Sequence, residues 1–105
     1  MGSRFIIVFT TVGGKKEAVK IASTCVEENL VACVQISKVE SFYKWEGSKE
    51  RSVEYKIIFK TISDNYIQLK KKIMSLHSYN LPSIYAVNLS HINKPYGDWI
   101  IESIK

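Results

Sequence analysis

Val53-Glu54-Tyr55-Lys56-Ile57-Ile58-Phe59-Lys60-Thr61 is the stretch that decides the fold. Val53, Tyr55, Ile57, Phe59 and Thr61 alternate with Glu54, Lys56, Ile58 and Lys60, the period of two that marks a strand with one buried face. Ahead of it, Glu46-Gly47-Ser48-Lys49 signals a turn. Ahead of the turn, Leu30–Ile36 and Val39–Trp45 are both extended in pattern, with a bulge or bend expected at Ser37-Lys38 between them. Joined, the two arms predict a hairpin of up to about 11 residues per arm, against a modal strand of about 5–6. A hairpin of that reach must project beyond its domain or pair with another chain.

Outward from the hairpin the pattern stays regular. Phe5–Val12 is a continuous apolar run ending at Gly13-Gly14, which predicts a strand covered on both faces and therefore central. From Lys15 the period changes: Ala18, Ile21, Ala22, Cys25 and Val26 form one helical stripe, and Asn29 can end that helix because Asn tolerates the left-handed conformation. Beyond the hairpin, Ser63 or Asp64 is placed to cap a second helix with the stripe Tyr66, Leu69, Ile73 and Leu76, while Lys70, Lys71 and Lys72 fan over its outer side. After Leu81-Pro82, Ile84–Leu89 reads as a buried strand. Asn93-Lys94-Pro95 then starts a short helix that should bury Trp99, Ile100 and Ile104. The order β-α-β-β-α-β plus a C-terminal helix predicts an α+β fold of the split βαβ kind, with the helices on one face of an antiparallel sheet and residues 1–105 as a single domain.

Composition narrows the function. The 105 residues are 46% apolar and 24% charged, which excludes a disordered chain. The net charge of +5 is spread along the chain, without a basic arm. The uncharged stretch from Ile73 to Asn93 is too rich in Ser, His, Asn and Pro to span a membrane, and the apolar run Phe5–Phe9 is too short for a signal peptide. With two Cys, a cytoplasmic protein with free thiols is expected.

No enzyme signature is present: Gly13-Gly14 lacks a phosphate-loop frame and no G-x-S-x-G occurs. Cys25 and Cys33 lie in apolar patterns and read as inert thiols rather than partners of His77 or His91. The element order is shared with RNA-recognition modules, but their aromatic signature is missing, and Phe9, Tyr55 and Phe59 are assigned to the core. His77, Cys33, Asp98 and Glu54 are metal-ligand types without the i, i+3 or i+4 pairing of a preformed site.

Several short motifs occur together: Thr10-Thr11-Val12, Ala32-Cys33-Val34, Tyr43-x-Trp45-x-Gly47, Glu54 followed by Lys60-Thr61, His77-x-Tyr79-x-x-Pro82 and Tyr96-x-x-Trp99. In order and spacing the chain resembles the CutA family, the divalent-cation tolerance proteins. The resemblance implies a ferredoxin-like fold in a tight homotrimer whose hairpin strands pair between subunits. It also implies a role in tolerance of copper and other divalent metals. Family metal proposals use a Cys after the first strand and one or two His at the His-Pro-Tyr motif. Here Thr10 stands at the Cys position, Leu76 at the first His and Ser83 after the Pro, so His77 is left as the metal candidate. The expected cofactor is therefore none, or a weakly held Cu or Zn, with His77 lying away from the threefold axis.

Cys33, Trp45, Glu54, Lys60, His77 and Tyr79 are expected in a pocket between subunits, suited to a small polar or anionic ligand. Glu54 and Lys60, six apart on a strand, project from the same face. The alternative is a structural ion-pair network at a buried interface. The expected protein is a non-catalytic homotrimer in divalent-metal homeostasis, without specific nucleic-acid binding. The competing readings are a ligand-sensing trimer resembling nitrogen-regulatory proteins and an RNA-binding module.

Overall fold

The computed structural model describes residues 4–105, and residues 1–3 of the expected domain lie outside the described residues. Strand β1 (Phe5–Val12) ends at the two glycines, and helix α1 (Lys15–Glu27) follows directly. Asn29, at φ 58°, ends α1 as expected. The Asn29 N–H donates to the Val26 carbonyl and the Leu30 N–H to the Cys25 carbonyl, the paired bonds of a Schellman stop. Leu30 and Val31 turn into the core before strand β2 (Cys33–Trp45) begins. Strand β3 (Ser48–Ile62) returns after a two-residue turn, with Glu46 at φ 49° and Gly47 at φ 83°. Two positive φ values make the primed turn whose twist matches that of the flanking strands.

The hairpin is longer than expected. Its register runs one-for-one from Cys33↔Lys60 to Trp45↔Ser48, so the bulge predicted at Ser37-Lys38 does not form. Those two residues simply pair with Lys56 and Tyr55 in an unbroken ladder. The predicted caps also differ: Ser63 and Asp64 lie in a 3₁₀ turn (Ser63–Asn65) ahead of helix α2 (Tyr66–Leu76), and no side chain caps α2. Asn65 instead donates from Nδ2 to the Leu30 carbonyl at 3.1 Å, tying the turn to the end of α1.

The strand order is β2-β3-β1-β4, antiparallel at each pairing. On β1, Ile6, Val8, Thr10 and Val12 are buried beneath α1 and α2, where they meet Ile57 and Phe59 of β3, Ala18, Ile21 and Cys25 of α1, and Leu69 and Ile73 of α2. Phe5, Ile7, Phe9 and Thr11 point the other way and are half-buried, so the expected two-sided cover is only partial. Phe9 is thus not in the core assigned to it, while Phe59 is fully buried and Tyr55 packs on the core's margin. Strand β4 (Ile84–Asn88) is an exposed edge rather than a buried strand, with Tyr85 and Val87 about half exposed.

Helix α3 (Lys94–Ser103) departs most from expectation. It crosses the opposite face of the sheet from α1 and α2, over the end of the strands that carries Phe5 and Lys60. Gly97 makes this approach fit: a Cβ there would lie 2.9 Å from the tip of the Phe5 ring. Ile100 is buried beneath α3, whereas Trp99 is 46% exposed and Ile104 is half-buried.

Pairing between β1 and β3 stops at Val12↔Tyr55. Val39–Trp45 and Ser48–Glu54 therefore pair only with each other, an arm on the order of 20–25 Å long. It raises the Cα radius of gyration to 14.5 Å, where about 13 Å is usual for this length. The accessible surface is 6968 Å², where roughly 6,000 Å² is usual for this mass.

Candidate functional site

Where the arm leaves the sheet, the segment that follows α2 crosses its open face and forms a cleft. His77 anchors this segment. Its Nδ1 accepts the Tyr79 N–H at 3.2 Å, which leaves the proton on Nε2, 3.1 Å from both the Thr10 hydroxyl and the Thr11 carbonyl. Ser78 adds a second tether: its N–H and hydroxyl donate to the two carboxylate oxygens of Glu17 on α1, at 2.7 and 3.0 Å. So held, Tyr79 lies over Gly13, where a Cβ would come within 3.3 Å of the phenol oxygen. The Tyr79 hydroxyl then donates to Glu54 Oε2 at 2.7 Å. Burial, followed by this bond to a carboxylate, pushes the phenol's pKa above its ordinary value, so it remains a donor at physiological pH.

The cleft holds about 740 Å³ and is lined by Tyr43, Trp45, Tyr79, Glu50, Glu54 and Ser41, among others. Strand parity explains the set. Ser41, Tyr43 and Trp45 on β2 and Glu50, Ser52 and Glu54 on β3 all project from the open face. Tyr43 is braced by Ser52, with the two hydroxyls 3.2 Å apart.

Of the six residues expected in one pocket, Trp45, Glu54 and Tyr79 line the cleft and His77 supports it from behind. Within one protomer, Cys33 and Lys60 do not join them. These two pair across β2 and β3 at the far end of the sheet, about 20 Å along the strand from Glu54. There Lys60 Nζ sits 3.4 Å from the Tyr96 hydroxyl and 5.6 Å over its ring, a contact with α3. The sequence reading missed Tyr43 and Glu50. Tyr43 shares the period of two with Trp45, and Glu50 stands opposite Tyr43 in the register, but the pairing needed the turn position to be known.

A resident metal does not fit these residues within one protomer. Both ring nitrogens of His77 are engaged. Among the described residues no group of three or more His, Cys, Asp or Glu side chains gathers where an ion could be held. Cys25 is fully buried, and burial, then Glu28, push its thiol up to about 11 against an opposing effect of Lys72. In the native protein a thiol reagent is therefore expected to label Cys33 and spare Cys25. Because the folded state holds this proton more tightly than the unfolded chain, the contribution to stability is intact below pH 9 and fades as pH rises towards 11. The loss should be about 2–3 kcal/mol, measured by urea unfolding and missing from Cys25→Ala.

Among the described residues no helix is long and apolar enough to cross a membrane. A sequence model of the CutA1 divalent ion tolerance protein family matches residues 6–103. The divalent-cation tolerance protein CutA of Pyrococcus horikoshii is 37% identical, over 95% of this chain and 98% of that relative. The chloroplastic protein CutA of Arabidopsis thaliana is 31% identical over 95% of this chain, which spans 56% of that longer protein. The structure of the periplasmic divalent cation tolerance protein CutA from Archaeoglobus fulgidus superimposes with a TM-score of 0.93 at 33% identity, over 96% of this chain and 99% of that one. With motifs, strand order and near full-length similarity in agreement, the chain belongs to the CutA1 divalent ion tolerance family.

Proposed function

We propose that this protein acts in divalent-cation tolerance as a non-catalytic homotrimer. The projecting arm carries the proposal. Phe42, Trp45 and Val53 on it are 69%, 51% and 51% exposed, an apolar load unusual for a segment that its own chain covers only in part. The two outer strands, β2 and β4, also leave one side of their backbone groups unpaired by the sheet. Edge-to-edge pairing of copies, closed after three, covers both. It is also the arrangement in which the Cys33–Lys60 end of one copy and the Glu54–Tyr79 end of another can share a pocket. Light scattering at micromolar concentration should give about 36 kDa, three times the chain mass of 12.0 kDa. A 12 kDa species would end this reading.

The two unpaired thiols, Cys25 and Cys33, support a reducing compartment, the cytoplasm. Metal handling in this reading does not require a strong site: Cu(II) or Zn(II) would meet His77 only by displacing one of its hydrogen bonds.

One observation favours a second reading as an RNA-binding face. Phe9 and Tyr85 stack at 5.0 Å on the open face, with Lys56 Nζ 5.1 Å from the Phe9 ring. RNA binding that survives 200 mM salt would favour it over the trimer, since the same face serves both.

A further inference from the structure

The proposed trimer is built through the arm, the open face and the edge strands, whereas α1 and α2 cover the reverse of the sheet. Their outer side therefore faces water in one copy and in three. The two helices run antiparallel: Ser78, after α2, bonds Glu17 in the first turn of α1, and Asn65, before α2, bonds Leu30 after α1. Ala18, Ile21 and Cys25 on α1 and Leu69 and Ile73 on α2 point into the core. At about 100° per residue, Lys16, Lys20 and Ser23 on α1 and Ile67, Lys71 and Met74 on α2 point outward. Val19 and Val26 lie instead on the flank of α1 away from α2, where a copy paired at the β2 edge would cover them.

Charge on this face is segregated. Lys15, Lys16, Lys20, Lys70 and Lys71 are exposed and make no ion pair among the described residues. The carboxylates between the helices are occupied: Glu17 holds Ser78, and Glu28 pairs with Lys72 at 3.1 Å. Glu27 and Asp64 stand at the opposite end, Glu27 about 16 Å along α1 from Lys16. Among the lysines two apolar side chains protrude, Ile67 at 60% and Met74 at 52% exposed. Lys70 and Lys71 lie within about one turn of both. A nucleic acid would engage the lysines and leave Ile67 and Met74 in water, and it would find no ring to stack on. α1 has no aromatic residue, and Tyr66 of α2 packs on the core. An anionic lipid surface engages both kinds of side chain: the headgroups meet the ammonium groups, and the apolar pair enters the acyl boundary.

We propose that the outer face of α1 and α2 docks on an anionic lipid surface, with Lys16, Lys20, Lys70 and Lys71 on the headgroups and Ile67 and Met74 inserted between them. The test is co-sedimentation of the full chain with vesicles of phosphatidylcholine, alone or with about 40% phosphatidylserine, at about 50 mM salt. The mixed vesicles should bind the protein, the neutral ones should not, and about 0.5 M salt should release it. Lys16→Glu with Lys20→Glu should weaken binding by about tenfold or more. Lys94→Glu with Lys105→Glu changes the net charge equally on α3, across the sheet, and should leave binding within about twofold. Ile67→Gln with Met74→Gln keeps the charge and should cost about threefold or more. Equal binding to neutral vesicles, or no binding to the mixed ones, would overturn the proposal. So would equal losses from the α1 and α3 pairs, which would make net charge the cause. Unchanged binding in the Ile67 and Met74 variant would overturn the lipid assignment in favour of any polyanion, RNA included. A mass measurement on each sample keeps these outcomes separate from that of the trimer.

Discussion

Truncating Phe59 to alanine is expected to lower the free energy of unfolding by about 3–5 kcal/mol. Phe59 is fully buried and sits mid-sheet, paired with Val8 on one side and Val34 on the other. Its ring belongs to the cluster that α1 and α2 close with Ile21, Cys25, Leu69 and Ile73. Removing it deletes the largest fully buried side chain in the protein's described residues and leaves a void that rigid strands on both sides cannot collapse to fill. Against a typical total of about 5–15 kcal/mol, that loss is large enough to populate unfolded chains at growth temperature. Urea unfolding at fixed protein concentration measures it, since the proposed assembly would make stability concentration-dependent. Ile58→Ala is the control, because Ile58 faces the open side and is half-buried. A cost for Ile58→Ala equal to that of Phe59→Ala would mean the core face has been misassigned.

The second large effect concerns assembly. Replacing residues 42–51 with Asn-Gly joins Ser41 to Ser52, which already face each other in the register, through a turn that suits a two-residue hairpin. The deletion removes Phe42, Tyr43 and Trp45 but none of the core cluster, whose hairpin members lie nearer the base of the arm. The shortened chain should fold, keep its far-ultraviolet circular dichroism and run as a monomer, against the trimer proposed for the full chain. A trimer that survives the deletion would show that the open face and the edge strands suffice without the arm.

The elements with a clear period were legible from sequence. Phe5–Val12 was bounded correctly because the glycines end it, and the alternation in Val53–Thr61 fixed which residues of β3 enter the core. What failed depended on the third dimension. Ser37-Lys38 looked like an interruption because polar residues broke an apolar run, yet beyond the core both faces of an arm are exposed and polar residues need no bulge. Ile84–Leu89 looked buried because its side chains are apolar, but a strand's position in the sheet is not written in its composition. The side of the sheet taken by α3 was set by Gly97 meeting Phe5, a contact between residues at opposite ends of the chain. Within one protomer the motif residues Trp45, Glu54, His77 and Tyr79 come together, whereas parity put Lys60 on their face but about 20 Å further along the strand.

The strand order has a consequence for how the chain is made. β1 sits between β3 and β4 in the finished sheet, yet it leaves the ribosome before either of them. The hairpin of β2 and β3 can close locally within about 1–10 μs of its synthesis. At about 5–20 residues per second, however, Phe5–Val12 waits on the order of seconds for Ser48–Ile62 to appear. Through that interval an apolar β-strand with neither neighbour is attached to a growing chain, open to chaperones and to other nascent copies. The vulnerable species is the half-made polypeptide, and slower decoding of codons 13–47 should lengthen its exposure and raise the aggregated fraction without altering the finished molecule.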